Sequence, residues 1–179
     1  MKPRPLRADA QRNRDLLLAA AAQLFAERGT EAPLDDVARR AGVGNATMYR
    51  HFPTRSDLLA AVYADEVAQL CASAETLRTT EPPAQALRHW LRLFMDHITT
   101  KRDLALAVTD DSATQHADWH RAMLDTASNL LEEAKRAGDV HADLDVRDLL
   151  TLVKGIALAA TDRSQAERLL SLVSRCHGV

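Results

Sequence analysis

Val37-Ala38-Arg39-Arg40-Ala41-Gly42-Val43-Gly44-Asn45-Ala46-Thr47-Met48-Tyr49-Arg50-His51-Phe52 is the stretch that decides how this chain is read. Ahead of the first glycine, Leu34, Val37, Ala38 and Ala41 fall at i, i+3, i+4 and i+7, which is one face of a helix. Gly42 then stands where a left-handed C-cap costs glycine little and costs a residue with a Cβ more. A second helix begins two residues later. It carries Met48 and Phe52 on one side and Asn45, Thr47, Tyr49, Arg50 and His51 around the rest. Two short helices joined by a three- or four-residue glycine turn form a helix-turn-helix, whose second helix enters the DNA major groove.

The rest of the chain is compatible with that reading. Its 179 residues are 46% hydrophobic and 27% charged, enough apolar content for a buried core. Aromatics are only 4%, so Leu, Ala and Val must fill it, and an all-α fold of about nine helices is expected. No strongly alternating segment bounded by turn residues suggests a strand. No apolar run reaches the ~18 residues of a membrane span, and the polar, basic start lacks the apolar core of a signal peptide. Cys71 and Cys176 form no CxxC pair, and a cytoplasmic location is expected.

Charge is unevenly distributed. The net charge is −2, yet residues 1–55 hold ten Lys and Arg against six Asp and Glu, or +4, which leaves −6 on the remainder. A basic head on an acidic body suits phosphate binding at one end.

Periodicity and punctuation predict the elements. Residues 1–11 read as a flexible basic arm, 12–54 as the DNA-binding domain and 55–179 as a helical body. A first helix is expected from about Gln11 to Arg28, ended by Gly29. Ala32-Pro33 opens the second helix, which ends at Ala41, and the third spans roughly Asn45 to His51. Thr54 or Ser56 caps a long fourth helix over about Arg55 to Leu77. A fifth follows Pro82-Pro83, a short sixth covers Leu104 to Val108, and Thr109–Gln115 reads as a loop. A seventh runs from about His116 to Ala137, stopped by Gly138. The last two cover about Val146–Ala160 and Ser164–Arg175.

Residues 12–63 resemble the DNA-binding domain of the tetracycline-repressor (TetR) family. The resemblance lies in Arg12 or Arg14, Ala20-Ala21, Leu24-Phe25, Gly29, Val37-Ala38, Ala41-Gly42-Val43, Tyr49-Arg50-His51-Phe52, Arg55 and Leu58-Leu59. It covers under a third of the chain. It implies three DNA-binding helices, a connecting fourth, and a body that binds a small-molecule effector and forms a homodimer. Two departures stand out: Gly44 replaces a serine common in the family, so Asn45 is expected to take over as N-cap, and Ala32-Pro33 replaces a Thr/Ser cap.

Val43, Met48 and Phe52 are expected to anchor the third helix against Leu24, Phe25, Val37 and Leu58. By the resemblance, Thr47, Tyr49, His51 and Arg55 meet the DNA backbone, while Gly44, Asn45 and Ala46 lie nearest the bases. Asn45 has the chemistry to pair with adenine, Arg50 to reach guanine or a phosphate, and Ala46 to touch a thymine methyl. Lys2, Arg4 and Arg7 either reach a neighbouring groove or form a solvated tail. The expected partner is double-stranded DNA carrying a palindromic operator, since a dimer presents two recognition helices roughly 34–36 Å apart.

In the body, Leu149, Leu152, Val153, Ile156, Leu169, Leu172 and Val173 are expected at the dimer interface, because the last two helices are apolar nearly all round. Cys71, Trp90, Phe94, His97, Trp119 and Met123 are candidates for an effector pocket, or else ordinary core. The function expected is a sequence-specific regulator, a repressor released from its operator by the effector. Rival readings are a metal- or redox-responsive regulator and an architectural DNA-binding protein without a ligand. His116 and His120 have the i, i+4 spacing of zinc ligands. Ala117, however, stands where the metalloprotease motif needs its catalytic Glu, and no metal site or cofactor is expected. No nucleophile elbow, P-loop or dinucleotide-binding glycine motif supports an enzyme.

Overall fold

The computed structural model describes residues 4–108 and 113–175, with side chains placed for 8–108 and 117–172. Among the described residues there are nine helices and no strand: α1 (Arg4–Arg28), α2 (Leu34–Ala41), α3 (Asn45–His51), α4 (Arg55–Thr80), α5 (Pro83–Thr100), α6 (Arg102–Ala107), α7 (Ala113–Arg136), α8 (Val146–Ala159) and α9 (Arg163–Arg175). They divide into two compact units. One holds α1 to α3, α4 as far as Glu66, and α6 from Asp103. The other holds α4 from Val67, α5, and α7 to α9. The first three turns of α4 therefore pack with the head, and the boundary expected at residue 54 does not coincide with this division.

In the first unit α1 packs against α2 and α3. Leu17, Ala21, Val37, Ala38, Met48 and Leu58 are fully buried. The α2–α3 turn follows from Gly42, at φ 67° and ψ 25°. Its N–H donates to Arg39 O (3.2 Å), and the Val43 N–H donates to Ala38 O (3.0 Å), which completes a Schellman cap. Thr54 and Asp57 cap α4 reciprocally. The Asp57 N–H donates to Thr54 Oγ1 (3.1 Å), and Asp57 Oδ2 accepts from the Thr54 N–H (2.9 Å). Arg55, the first residue of α4, turns back to the α1–α2 connection. Its Nη1 donates to Thr30 O (2.5 Å) and Ala32 O (2.9 Å), two carbonyls outside any helix.

In the second unit α5 is central and packs against α7, α8 and α9. Trp90, Leu91 and Met95 of α5, Ala127, Leu130 and Leu131 of α7, and Leu149 and Val153 of α8 fill the core. The Trp90 indole N–H donates to Leu70 O of α4 (3.0 Å), so the largest buried side chain leaves no donor unmet. Arg78 of α4 forks onto Glu133 of α7. Arg92–Glu167 (2.9 Å) and Arg163–Asp96 (2.8 Å) join α5 to α9. These pairs are largely exposed, so the buried Ala166 and Leu170 contribute more to holding α9.

Several boundaries differ from expectation for identifiable reasons. The first helix starts at Arg4, so residues 4–11 are helix rather than a loose arm. Pro5 sits in the first turn, where its missing N–H removes no bond, and Leu6, Ala8 and Ala10 are good helix formers. Pro33 is the N-cap of α2, one position before the helix it was expected to open. The fourth helix continues to Thr80 and stops only at Pro82-Pro83, where a second proline cannot extend it. Ala113–Gln115, expected in a loop, begin α7. The remaining loop residues 109–112, Lys2 and Cys176 lie outside the described residues, as do the side chains of Arg4, Arg7, His116 and Val173.

Two substitutions test this construction. Gly42→Ala, placed at positive φ, is expected to destabilise the protein by about 1 kcal/mol or more in urea unfolding. Arg55→Ala removes charge-assisted hydrogen bonds to two carbonyls, with an expected loss of about 1.5–3 kcal/mol. Arg55→Lys should recover part of that loss, and unchanged stability in Arg55→Ala would mean the two bonds do not fasten α4.

Candidate nucleic-acid interface

The recognition helix is short and its orientation is set by what it buries. Met48 is fully buried and Phe52, at the C-cap, is 3% exposed. Val43, expected as a third anchor, is only half-buried. It sits in the Schellman turn, where its backbone rather than its side chain makes the fastening. With Met48 and Phe52 turned inward, Gly44, Asn45, Ala46, Tyr49 and Arg50 are exposed, and Thr47 and His51 are half-buried. Tyr49 is 46% exposed, so it is not a core aromatic.

The N-cap of α3 is Gly44, not Asn45. Gly44 is extended (φ −65°, ψ 142°), and its carbonyl accepts from Thr47 N (2.8 Å) and Met48 N (3.0 Å). Asn45 is already the first helical residue, so it cannot serve as the side-chain cap expected of it, and none is made. That leaves its amide at the exposed front of the helix. Arg50 folds along its own helix, with Nε donating to Ala46 O (3.1 Å) and Nη2 to Thr47 Oγ1 (3.4 Å).

The basic residues of the head are not all equivalent. Arg40 of α2 forks onto Glu27 of α1 (2.8 and 2.7 Å), and Asp36 accepts from Arg28 (2.9 Å) and Arg39 (2.6 Å). The hydrogen bond from Arg40 holds the Glu27 carboxyl below its ordinary pKa, and the same bond raises that of Arg40. Arg55, expected at a phosphate, is engaged with the Thr30 and Ala32 carbonyls and acts first as a positioning residue for α4. Arg14 stands over the Phe52 ring, 5.8 Å from its centroid, and so ties α1 to the end of α3. Sequence spacing alone could not pair Glu27 with Arg40 or Arg14 with Phe52, because both contacts depend on how α1 crosses the turn.

The body residues separate by burial. Trp90 is fully buried and stacked on Phe94 (5.5 Å between centroids, 8° between planes), and Met123 and His97 are also buried. Cys71 and Trp119 are half-buried. Trp90 is filler of its own unit rather than an open wall. On α8, Leu149, Val153 and Ile156 face their own unit's core. They are therefore not on the outer face where a dimer contact was expected, since α5 and α7 already cover them. Leu152 (49%) and Leu172 (57%) are exposed, as is Leu158 (52%). Leu169 is half-buried in an open groove of α9 with Gln165, Arg168, Ser171 and Leu172. No cluster of three metal-ligating side chains occurs among the described residues. No helix there is long and apolar enough to cross a membrane.

Comparison with known proteins places these features. Residues 17–62 match the model for bacterial regulatory proteins of the tetR family, and residues 82–176 match the C-terminal domain of SbtR-like transcriptional regulators. The chain is similar to the TetR transcriptional regulator SCO0520 of Streptomyces coelicolor. Identity is 40%, coverage is 92% of this chain and 97% of that one, and the TM-score is 0.79. It is also similar to a TetR regulatory protein of Mycobacterium vanbaalenii, at 35% identity, 98% and 100% coverage and a TM-score of 0.81. Among curated relatives, the HTH-type transcriptional activator FasR of Mycolicibacterium smegmatis is 38% identical over 87 residues, 48% of this chain and 40% of FasR. The chain thus spans less than half the length of that relative. With both of its parts matched and two full-length structural relatives above 30% identity, the chain belongs to the TetR family of DNA-binding transcriptional regulators.

Proposed function

We propose that this protein is a cytoplasmic, homodimeric repressor whose paired α3 helices read a palindromic operator and which a small-molecule effector releases. The observation that carries this reading is the division of α3 into a buried side, Met48 and Phe52, and an exposed side, Gly44, Asn45, Ala46, Tyr49 and Arg50. Asn45 and Arg50 supply base-edge hydrogen bonds, and Ala46 a contact to a thymine methyl. Thr47, Tyr49 and His51 supply backbone contacts that set the register. Arg50 exchanges its two intrahelical bonds for contacts in the groove.

Dimerisation uses the outward leucines of the last two helices, Leu152, Leu158 and Leu172, with Leu169 at the edge. The effector binds among α4, α5 and α7, where Cys71, Phe94, His97, Trp119 and Met123 supply mostly apolar surroundings with few polar groups. Residues of α4 belong to both units, so an effector that displaces this helix changes the spacing of the two recognition helices. Linkage then makes operator binding and effector binding mutually antagonistic. FasR is an activator by name. The same DNA contacts would serve an activator if a reporter under the operator rose rather than fell.

Selection of bound sequences from genomic fragments should return a two-fold palindrome. Asn45→Ala and Arg50→Ala are expected to relax preference at individual positions by about 1–3 kcal/mol each. Tyr49→Phe should weaken all sequences alike. Recovery of fragments without a common motif would remove the operator reading and favour an architectural DNA-binding role.

A further inference from the structure

Arg28 and Arg39 of the head pair with Asp36, and Arg40 pairs with Glu27. Arg14 of α1 is held differently. It has no acidic partner among the described residues, and its guanidinium lies over the Phe52 ring, 5.8 Å from the centroid. A guanidinium in that place is attracted by the electron-rich face of the ring. Arg14 is half-buried and Phe52 is buried. The contact joins a long helix, fastened through its buried Leu17, Leu18, Ala21, Leu24 and Phe25, to the C-cap of a helix of seven residues.

The two ends of α3 are held by different means. The front follows the Schellman turn at Gly42, and the Gly44 carbonyl accepts from the Thr47 and Met48 N–H groups. At the rear, the Phe52 N–H donates to Met48 O (2.8 Å), and its ring carries the Arg14 contact. Pro53, the next residue, has no N–H with which to extend the helix. Arg50 precedes Phe52 by two residues, roughly 3 Å along the axis, whereas Asn45 precedes it by seven, roughly 10 Å. A displaced Phe52 ring therefore re-aims Arg50 more than Asn45.

We propose that Arg14 is a positioning residue for the rear of the recognition helix. By holding the Phe52 ring, it sets the direction in which Arg50 leaves α3, and so the base positions that Arg50 discriminates. It acts through Phe52 and not by touching DNA. This rests on the base reading given under the proposed function and adds a division of labour to it: α1 governs readout at the C-terminal end of α3, and the glycine turn governs it at the N-terminal end.

The test uses the full-length protein and single-position variants of an operator fragment recovered by selection. Affinities are compared for the parent, Asn45→Ala, Arg50→Ala, Arg14→Met and Arg14→Lys. Methionine keeps an apolar stem without the charge, and lysine returns a cation to the ring. Arg14→Met is expected to relax discrimination about two- to fivefold, the size of an exposed cation–π contact, at the positions that Arg50→Ala relaxes. Positions that depend on Asn45 should be unchanged. Arg14→Lys should recover most of the loss. Both variants should keep the parent's slope of log affinity against log salt, since no phosphate contact is lost. In a Phe52→Leu background, which has no ring, Arg14→Met should cost nothing further. Thermal unfolding checks each head, and if Phe52→Leu does not fold, the comparison of Met with Lys decides. A slope lowered by about 0.9 in Arg14→Met would make Arg14 a phosphate ligand and overturn the proposal. Equal relaxation at every position, or a lysine variant no better than methionine, would overturn it as well. If Arg50→Ala itself relaxed no position, the base reading by Arg50 would fail and this inference with it. An Arg50-dependent position left intact by Arg14→Met would overturn this inference alone.

Discussion

Burial of Met48 and Phe52 is the constraint on which the DNA-facing side of this protein depends. A seven-residue helix without a side-chain cap has little stability of its own, since nucleation costs more than so few hydrogen bonds return. Its rotation about its own axis is fixed by those two side chains, both buried in the unit where α3 packs against α1 and α2. Every outward residue, from Asn45 to Arg50, takes its direction from that seating. The Schellman turn at Gly42 sets where α3 begins, and Arg14 closes its far end against Phe52. Surface ion pairs such as Glu27–Arg40 align α1 with α2 but contribute little beside the buried contacts.

How much of this was readable in the residues varies with the kind of signal. The α2–turn–α3 unit was legible because two independent cues coincide: an apolar period of 3.6 and a glycine at positive φ. The start of α1 was not, because Pro5 in a first turn and a polar, basic composition favour opposite readings, and no described residue before Leu17 is buried to mark the segment as helix. Arg55 illustrates a different limit. A basic residue at a helix start suits a phosphate or a stray carbonyl equally well, and the choice depends on where the α1–α2 connection runs. In α8 the leucines occur on all sides, so periodicity could not separate Leu149 and Val153, which belong to the core, from Leu152 and Leu158, which do not.

The second unit is organised around α5, whose Trp90 fills the interior while its one polar atom is met by a carbonyl of α4. Such a core tolerates little change of volume. The effector site proposed above would therefore open from the half-buried margin, near Cys71 and Trp119, rather than by emptying the centre. The outward leucines of α8 and α9 are a separate surface, so the proposed association and the proposed effector site would draw on different residues of one small unit.

Gly44 gives α3 an N-cap without a side-chain hydrogen bond, and its carbonyl accepts from the Thr47 and Met48 N–H groups. By helix geometry the Asn45 and Ala46 amides ahead of those bonds have no acceptor within the helix. On the DNA-binding reading proposed above, a backbone phosphate would meet them. Association would then order the tip, at an entropic cost that a helix already closed by a side-chain cap would not carry.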